Sequence, residues 1–296
     1  MSTDPQFSQS PGPAVISPSA SVDYAYLRRL VFEQSQNVLD PSRDYLFDTR
    51  LTGLLSKQGL THLEELIQLL CLKHDSTLER AVAEAMTINE TSFFRDARPF
   101  ELLRSVLLPP LIESRSASRS LRIWSAACST GQEAYSLAML LAEYFPQLAK
   151  WTVRIEGTDF SSEVVQRCRA ASYQRIEMNR GLPARNIVRY FDHHGELWTI
   201  KPELRRICRF QVANLCEDRL PFAEPPLGEP FDIIFLRNVM LYFSHETRKK
   251  LLAGIHRLLA TDGLLFLGST EQPADPTLWA ASVAHGTSYY RPRQPS

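Results

Sequence analysis

Apolar residues recur along this chain with two different periods, and the change between them divides it. From residue 24 to 86 the period is helical: Leu63, Leu66, Ile67 and Leu70 fall at i, i+3, i+4 and i+7, and Leu78, Ala81, Val82 and Ala85 repeat the spacing. Thr61 with Glu64 reads as a capping box, and the pattern predicts about four short helices, a helical N-terminal domain over 21–88. A linker and a helix from about 99 to 114 occupy 89–118. Over 119–293 the pattern becomes alternating strand and helix, with strands expected at 121–126, 153–158, 207–212, 231–236 and 264–268. Helices are expected at 132–145 and at 245–260, the second ended by Thr261-Asp262-Gly263, and 282–291 reads as a final strand. Residues 195–210 break the alternation and suggest a small β excursion inserted in this domain. The fold class predicted is α/β, a doubly wound, mostly parallel sheet preceded by a small all-helical domain, with ligand at the carboxyl ends of the strands.

Composition adds boundaries. Pro5, Pro11, Pro13 and Pro18 interrupt a Ser-rich start, so 1–20 reads as a disordered tail. The 33 basic and 33 acidic residues leave no overall field to steer the chain onto nucleic acid or an anionic membrane. No apolar run reaches the roughly 20 residues that span a bilayer, and no leader pattern opens the chain, so a cytoplasmic location is expected. The five cysteines form no C-x-x-C pair and the seven histidines no i, i+4 pair; neither a disulfide framework nor a metal site is expected.

The chemistry begins after the first strand. Ser125-Ala126-Ala127-Cys128-Ser129-Thr130-Gly131 is a run of small residues of the kind that forms a nucleotide-binding turn, and Glu133 follows it. Helix N-termini attract phosphate, and an acid there opposes it. Glu133 therefore points to a ligand with a nucleoside at one end and a cation at the other, for which S-adenosylmethionine is the common example; a plain helix-dipole or capping role remains open. Asp159 ends the second strand, where an acid commonly accepts both ribose hydroxyls, although it could equally cap the next helix. Asn214 and Leu215 follow the third strand, where an amide can meet an adenine edge and a leucine cover the ring, or Asn can simply turn the chain. Arg237 and Asn238 end the fourth strand, and a buried guanidinium there must meet a carboxylate of ligand, substrate or protein. Phe93 and Phe94, amid Thr87-Ile88-Asn89-Glu90-Thr91-Ser92 and Arg95-Asp96, mark a segment folded over a pocket or an anchored interdomain linker.

In order along 24–292, these motifs (the N-x-T-x-F-F-R linker, the W-S-A-A-x-S-T-G-x-E turn, the G-T-D strand end, the N-L pair, F-D-x-I-F-x-R-N-V-x-x-Y-F and G-L-L-F-x-G-S-T-E) resemble the chemotaxis receptor methyltransferases, the CheR family. The resemblance implies the Rossmann-like methyltransferase fold, S-adenosylmethionine as cofactor with S-adenosylhomocysteine as product, and transfer to glutamate side chains on the cytoplasmic helical bundle of a chemoreceptor. It further implies that Asn89, Thr91, Arg95, Glu133, Asp159, Asn214, Leu215, Arg237 and Asn238 contact the cofactor, and that Arg95 and Tyr242 are the catalytic candidates.

Substrate recognition is expected from the helical domain. Arg43, Arg50 and Lys57 are spaced by seven, so on one helix they would drift by only about 20° per step and form a basic stripe for an acidic partner helix; a merely solvated face is the alternative. Members of the family that dock on a receptor's C-terminal pentapeptide carry a Gly-containing insertion in the β excursion. Phe191-Asp192-His193-His194-Gly195-Glu196 offers no clear equivalent, so tethering is not expected. The competing readings are a same-fold methyltransferase acting on another protein and a non-catalytic module that senses the cofactor. An NAD-dependent oxidoreductase fails, because the turn has one glycine where G-x-G-x-x-G is required.

Overall fold

The computed structural model describes residues 22–222 and 229–293; the Ser/Pro-rich tail expected at 1–20 lies outside them. The helical domain comprises α1 (Tyr24–Ser35), α2 (Tyr45–Arg50), α3 (Thr52–Gln58), α4 (Leu63–Lys73) and α5 (Ser76–Ala85), one more helix than expected because Leu51 interrupts the segment after Arg50. Leu27, Val31, Phe47, Leu51, Leu66, Leu70 and Val82 bury together as its core. The capping box sits one residue later than predicted. His62, not Thr61, is the N-cap of α4, and the Glu65 carboxylate accepts the backbone N–H groups of Thr61 and His62.

The helix after the linker runs through α6 (Arg98–Leu102), a π turn over Leu103–Leu107 and α7 (Leu108–Ser114). It widens just before Pro109 and Pro110, which have no N–H to give to the preceding turn.

Seven strands then form one sheet in the order β6-β2-β1-β7-β8-β10-β9. They are β1 (Ser120–Ala126), β2 (Thr152–Asp159), β6 (Cys208–Val212), β7 (Phe231–Leu236), β8 (Leu259–Leu267), β9 (Trp279–Ala284) and β10 (Thr287–Pro292). The first five named run parallel to one another, while β10 runs antiparallel to β8 and β9 to β10. Burial on both faces explains the near-continuous apolar runs. Ile123, Ile233, Phe235 and Phe266 pack on one face with α8 (Gln132–Tyr144), whereas Trp124, Ile234, Leu236 and Leu265 pack on the other with α13 (His245–Leu258). From β1 the chain winds one way to β2 and β6 and the other way, through β7, to β8. The carboxyl ends of β1 and β7 therefore diverge around a crevice, the place where such sheets bind ligands.

Three expectations about boundaries change. The final strand is a hairpin, β9 and β10, turned by His285 and Gly286 with φ of 50° and 70°, the two positive values that a type I′ turn needs. Thr261-Asp262-Gly263 does not lie between elements but inside β8, as an irregularity in its pairing with β7 between Phe231 and Ile233. The β excursion is a three-stranded antiparallel sheet of β3 (Ser172–Gln174), β4 (Phe191–His194) and β5 (Leu197–Ile200), so it spans more of the chain upstream than 195–210, and Cys208–Val212 belongs to the main sheet. Phe93 of the linker is fully buried against this subdomain, its ring 5.0 Å from that of Tyr173 and 5.7 Å from that of Phe191.

Candidate functional site

The turn after β1 is built from backbone that L-residues rarely adopt. Ala127, Ser129 and Gly131 have φ of 59°, 50° and 93°, and a Cβ at Gly131 would sit 3.1 Å from the Cys168 Sγ and 3.2 Å from the Tyr173 hydroxyl. The coil leaves Glu133 in the first turn of α8. Its carboxylate does not cap that helix: Oε1 accepts from the Ser125 hydroxyl at 2.7 Å, and Oε2 pairs with Nη1 of Arg237 at 3.0 Å. Glu133 therefore does not cap α8, while its place in the first turn still suits the helix dipole.

Arg237 was expected to meet a carboxylate, and it meets two. Besides Glu133, its Nη2 donates to Asp96 at 2.7 Å and to the Arg95 carbonyl at 3.0 Å, and its side chain is only 2% exposed. The next residue, Asn238, has φ of 59°, and its N–H donates at 2.8 Å to the buried Glu271, which also accepts from the Gly268 N–H at 2.7 Å. Glu271 closes the G-S-T-E motif yet carried no assigned role; its function as the tie between the ends of β7 and β8 needs three-dimensional proximity to be seen.

Asp159 sits at the end of β2, accepting from the Ser129 N–H at 2.8 Å and the Ser161 N–H at 3.1 Å. The N-cap of α9 (Ser162–Ala170) is Ser161, so Asp159 shapes the approach to the helix without capping it. Burial pushes its carboxyl above the ordinary value, against the pull of the backbone N–H groups of Ser161, Ser129 and Phe160. Asn214 is tied to its surroundings at both ends of its amide. Its amide nitrogen donates to the Gln34 carbonyl of α1 at 2.9 Å and its oxygen accepts from the Cys216 N–H at 3.0 Å, so the side chain also holds the wall of the cleft it lines.

These residues meet. Asn89, Thr91, Arg95, Glu133, Asp159, Asn214, Leu215, Arg237, Asn238 and Tyr242 all line one cleft of about 870 Å³, counting its open mouth. The paired charges of Glu133 and Arg237 and the Asp159 carboxylate all line it, and Ile88, Phe160, Leu215 and Phe243 add apolar surface. Arg95 donates one hydrogen bond, to the Glu90 carbonyl at 2.8 Å, and among the described residues no carboxylate pairs with it.

The helical domain contributes walls that the sequence did not reveal. Ser35 and Asn37 line the cleft, and the Val38 N–H donates to the Tyr242 carbonyl at 2.8 Å. Arg80 stacks over Phe160 at 4.6 Å and donates to its carbonyl, while Glu84 accepts the N–H of Ser162.

The basic stripe does not exist as drawn. Arg43 ends a 3-10 turn, Arg50 ends α2 and Lys57 lies in α3, with the helix interrupted at Asp44 and again at Leu51. Arg50 is half-buried and donates to the carbonyls of Met86 and Thr87, securing the exit from α5; Arg43 and Lys57 are exposed. Seven-residue spacing makes a stripe only on unbroken helix.

Among the described residues no His, Cys, Asp and Glu cluster could hold a metal ion, and no helix is long and apolar enough to cross a membrane. Residues 89–286 match the family model described as CheR methyltransferase, SAM binding domain. The chain is 39% identical over 258 residues to chemotaxis protein methyltransferase 1 of Pseudomonas aeruginosa, covering 86% of this chain and 91% of that protein. It is 36% identical to chemotaxis protein methyltransferase Cher2 of Pseudomonas putida over 86% of this chain and 91% of that one. It is 34% identical to the chemotaxis protein methyltransferase of Escherichia coli, over 83% and 84% respectively.

Proposed function

Since the chain belongs to the CheR methyltransferase family and is an S-adenosylmethionine-dependent chemotaxis protein methyltransferase, we propose that it esterifies glutamate side chains on the cytoplasmic helical bundle of a chemoreceptor. The products are a glutamyl methyl ester and S-adenosylhomocysteine, and the reaction is cytoplasmic.

The residues present fit such a cofactor. Glu133 and Arg237 offer the opposite charges that an α-amino acid end requires, Asp159 an acceptor for ribose hydroxyls, and Leu215 and Phe160 apolar cover for a base. When bound, S-adenosylmethionine supplies an electrophilic methyl group on a sulfonium. A glutamate carboxylate is already ionised at neutral pH, so no general base is needed. The protein's work is alignment and exclusion of water, and ordering two reactants is worth on the order of 7–11 kcal/mol of barrier. Arg95 orients the acceptor carboxylate through a charge-assisted hydrogen bond, with Tyr242 beside it. The observation that carries this reading is the Arg95 guanidinium: it lines the cleft, gives one bond to a carbonyl and, among the described residues, closes no ion pair, its nearest carboxylate influence being that of Glu90, which is bridged to Arg180. Arg43 and Lys57 remain candidates for contact with the acidic receptor helix, while Arg50 passes to a structural role.

The test is transfer of labelled methyl from S-adenosylmethionine onto receptor cytoplasmic fragments, with and without their C-terminal tails. Label that base releases as methanol is expected, equally with and without tails. Cofactor binding with no transfer to any fragment would leave the sensor reading, and base-stable label would mean another acceptor chemistry.

Asp159 gives a pH signature. A carboxylate accepts ribose hydroxyls only when ionised, and its value is raised, so affinity is complete above that value and falls as pH drops through it. As pH is lowered from neutral, S-adenosylhomocysteine binding is expected to weaken at a higher pH than an ordinary, solvated aspartate would cause. Asp159→Asn, weak throughout, should lack this acid loss, which separates Asp159 from Glu133. Wild-type affinity that stays constant as pH falls would remove Asp159 from the ribose role.

A further inference from the structure

The Arg237 guanidinium faces two ways. Nη1 serves Glu133 on the cofactor side; Nη2 serves Asp96 and the Arg95 carbonyl on the linker side. The linker at this point is wound tightly, with Phe94 and Asp96 at φ of 48° and 59°, conformations that persist only when the surroundings hold them. Further hydrogen bonds brace it: Phe94 N–H to the Ser136 hydroxyl at 2.9 Å, Ala97 N–H to the Phe94 carbonyl at 2.9 Å, and Arg98 N–H to the Asp96 carbonyl. Arg95 lies between the two strained residues, so its direction follows from theirs.

We propose that Asp96 is a positioning residue which, through Arg237, couples occupancy of the Glu133 end of the cleft to the placement of Arg95. Glu133 cannot serve both a ligand ammonium and Nη1 of Arg237 at full strength. As Glu133 turns to the ammonium, the guanidinium loses part of one anionic partner. It is nearly buried, so it draws more firmly on the other, Asp96, which is about half exposed and has room to tighten. Because the same Nη2 also holds the Arg95 carbonyl, the pull on Asp96 tightens the backbone that carries the acceptor-orienting side chain. The linker is thus set for the acceptor when the cofactor site is filled. Part of this rests on the role proposed above for Arg95.

Asp96→Asn isolates the charge, since Asn accepts a positive φ at least as readily as Asp and keeps one acceptor oxygen. The experiment has three arms, applied to the full chain with S-adenosylhomocysteine as the probe: its dissociation constant, amide hydrogen exchange of the peptide covering 93–98 with and without the probe, and kcat with a receptor fragment. In the wild type, exchange of 93–98 should slow about tenfold or more on adding probe. In Asp96→Asn that slowing should fall to threefold or less, with the dissociation constant within threefold and kcat down about tenfold, and Asp96→Glu should restore most of the slowing. Probe-induced slowing unchanged in Asp96→Asn overturns the coupling. A dissociation constant weakened tenfold in parallel with kcat also overturns it, by making Asp96 part of the cofactor site. Arg95→Ala separates the two ideas: full turnover in that variant removes the role of Arg95 in catalysis, while the exchange measurement still decides whether Asp96 and Arg237 link site to linker.

Discussion

Arg95→Ala is expected to lower kcat with a receptor fragment by about a hundredfold or more, well beyond any loss of S-adenosylhomocysteine affinity, with the unfolding temperature unchanged within about 2 °C. The magnitude follows from what the guanidinium contributes. A carboxylate in water is solvated from all sides, and methyl transfer needs one oxygen in line with the breaking bond; loss of the orienting cation leaves a reactant misplaced by about an ångström, which costs about a hundredfold. Stability should not suffer, because Arg95 is half-buried and its one hydrogen bond is to the Glu90 carbonyl, a neighbour five residues away. Single-turnover methyl transfer beside a binding titration reads both quantities. Wild-type turnover in this variant would remove Arg95 from the mechanism.

Gly181→Ala is expected to destabilise the fold by about 2–5 kcal/mol and to reduce methyl transfer from a distance. Gly181 has φ of 80°, and a Cβ there would lie 2.1 Å from the carbonyl oxygen of Phe93, a backbone atom that cannot turn aside. Phe93 itself is fully buried between Tyr173 and Phe191, so the new methyl must push either the linker or the β subdomain. Since Phe93 lies two residues before Arg95, the displacement reaches the cleft that Arg95 lines. Thermal unfolding should fall by roughly 5 °C or more, and kcat should fall more than cofactor affinity. A variant with unchanged melting and turnover would show that the contact relaxes freely.

Much of the α/β domain was legible because strands buried on both faces cannot avoid long apolar runs, and Phe231-Asp232-Ile233-Ile234-Phe235-Leu236 is strand in any reading. Among the candidate site residues, Asp159, Asn214, Arg237 and Asn238 stood out because each lies at or just past a strand end, where polar groups have few other uses. Their pairings did not. Nothing in the chain says that Glu133 will meet Arg237 across 104 positions, or that the Asn214 amide will be taken up by the backbone of α1. His285 was passed over as a positive-φ turn residue, so a hairpin read as one strand. Arg43, Arg50 and Lys57 were joined by a spacing that assumes a continuous helix, which Leu51 ends. The β subdomain was placed too late because β3 is separated in sequence from β4 and β5 by two short helices, α10 (Arg175–Met178) and α11 (Ala184–Tyr190).

The helical domain and the sheet domain share the walls of one cleft. Gln34, Val38, Arg80 and Glu84 hold, respectively, Asn214, Tyr242, Phe160 and Ser162. The N-terminal helices are therefore not an adaptor that can be exchanged to retarget the enzyme. A chimera that joins the helices of one relative to the catalytic half of another inherits mismatched contacts at the methyl donor's own site, and its altered receptor preference would be confounded by altered cofactor use. Retargeting has to be done residue by residue on the outer, solvent-facing surface of α1 to α5, with the inner surface left as it is.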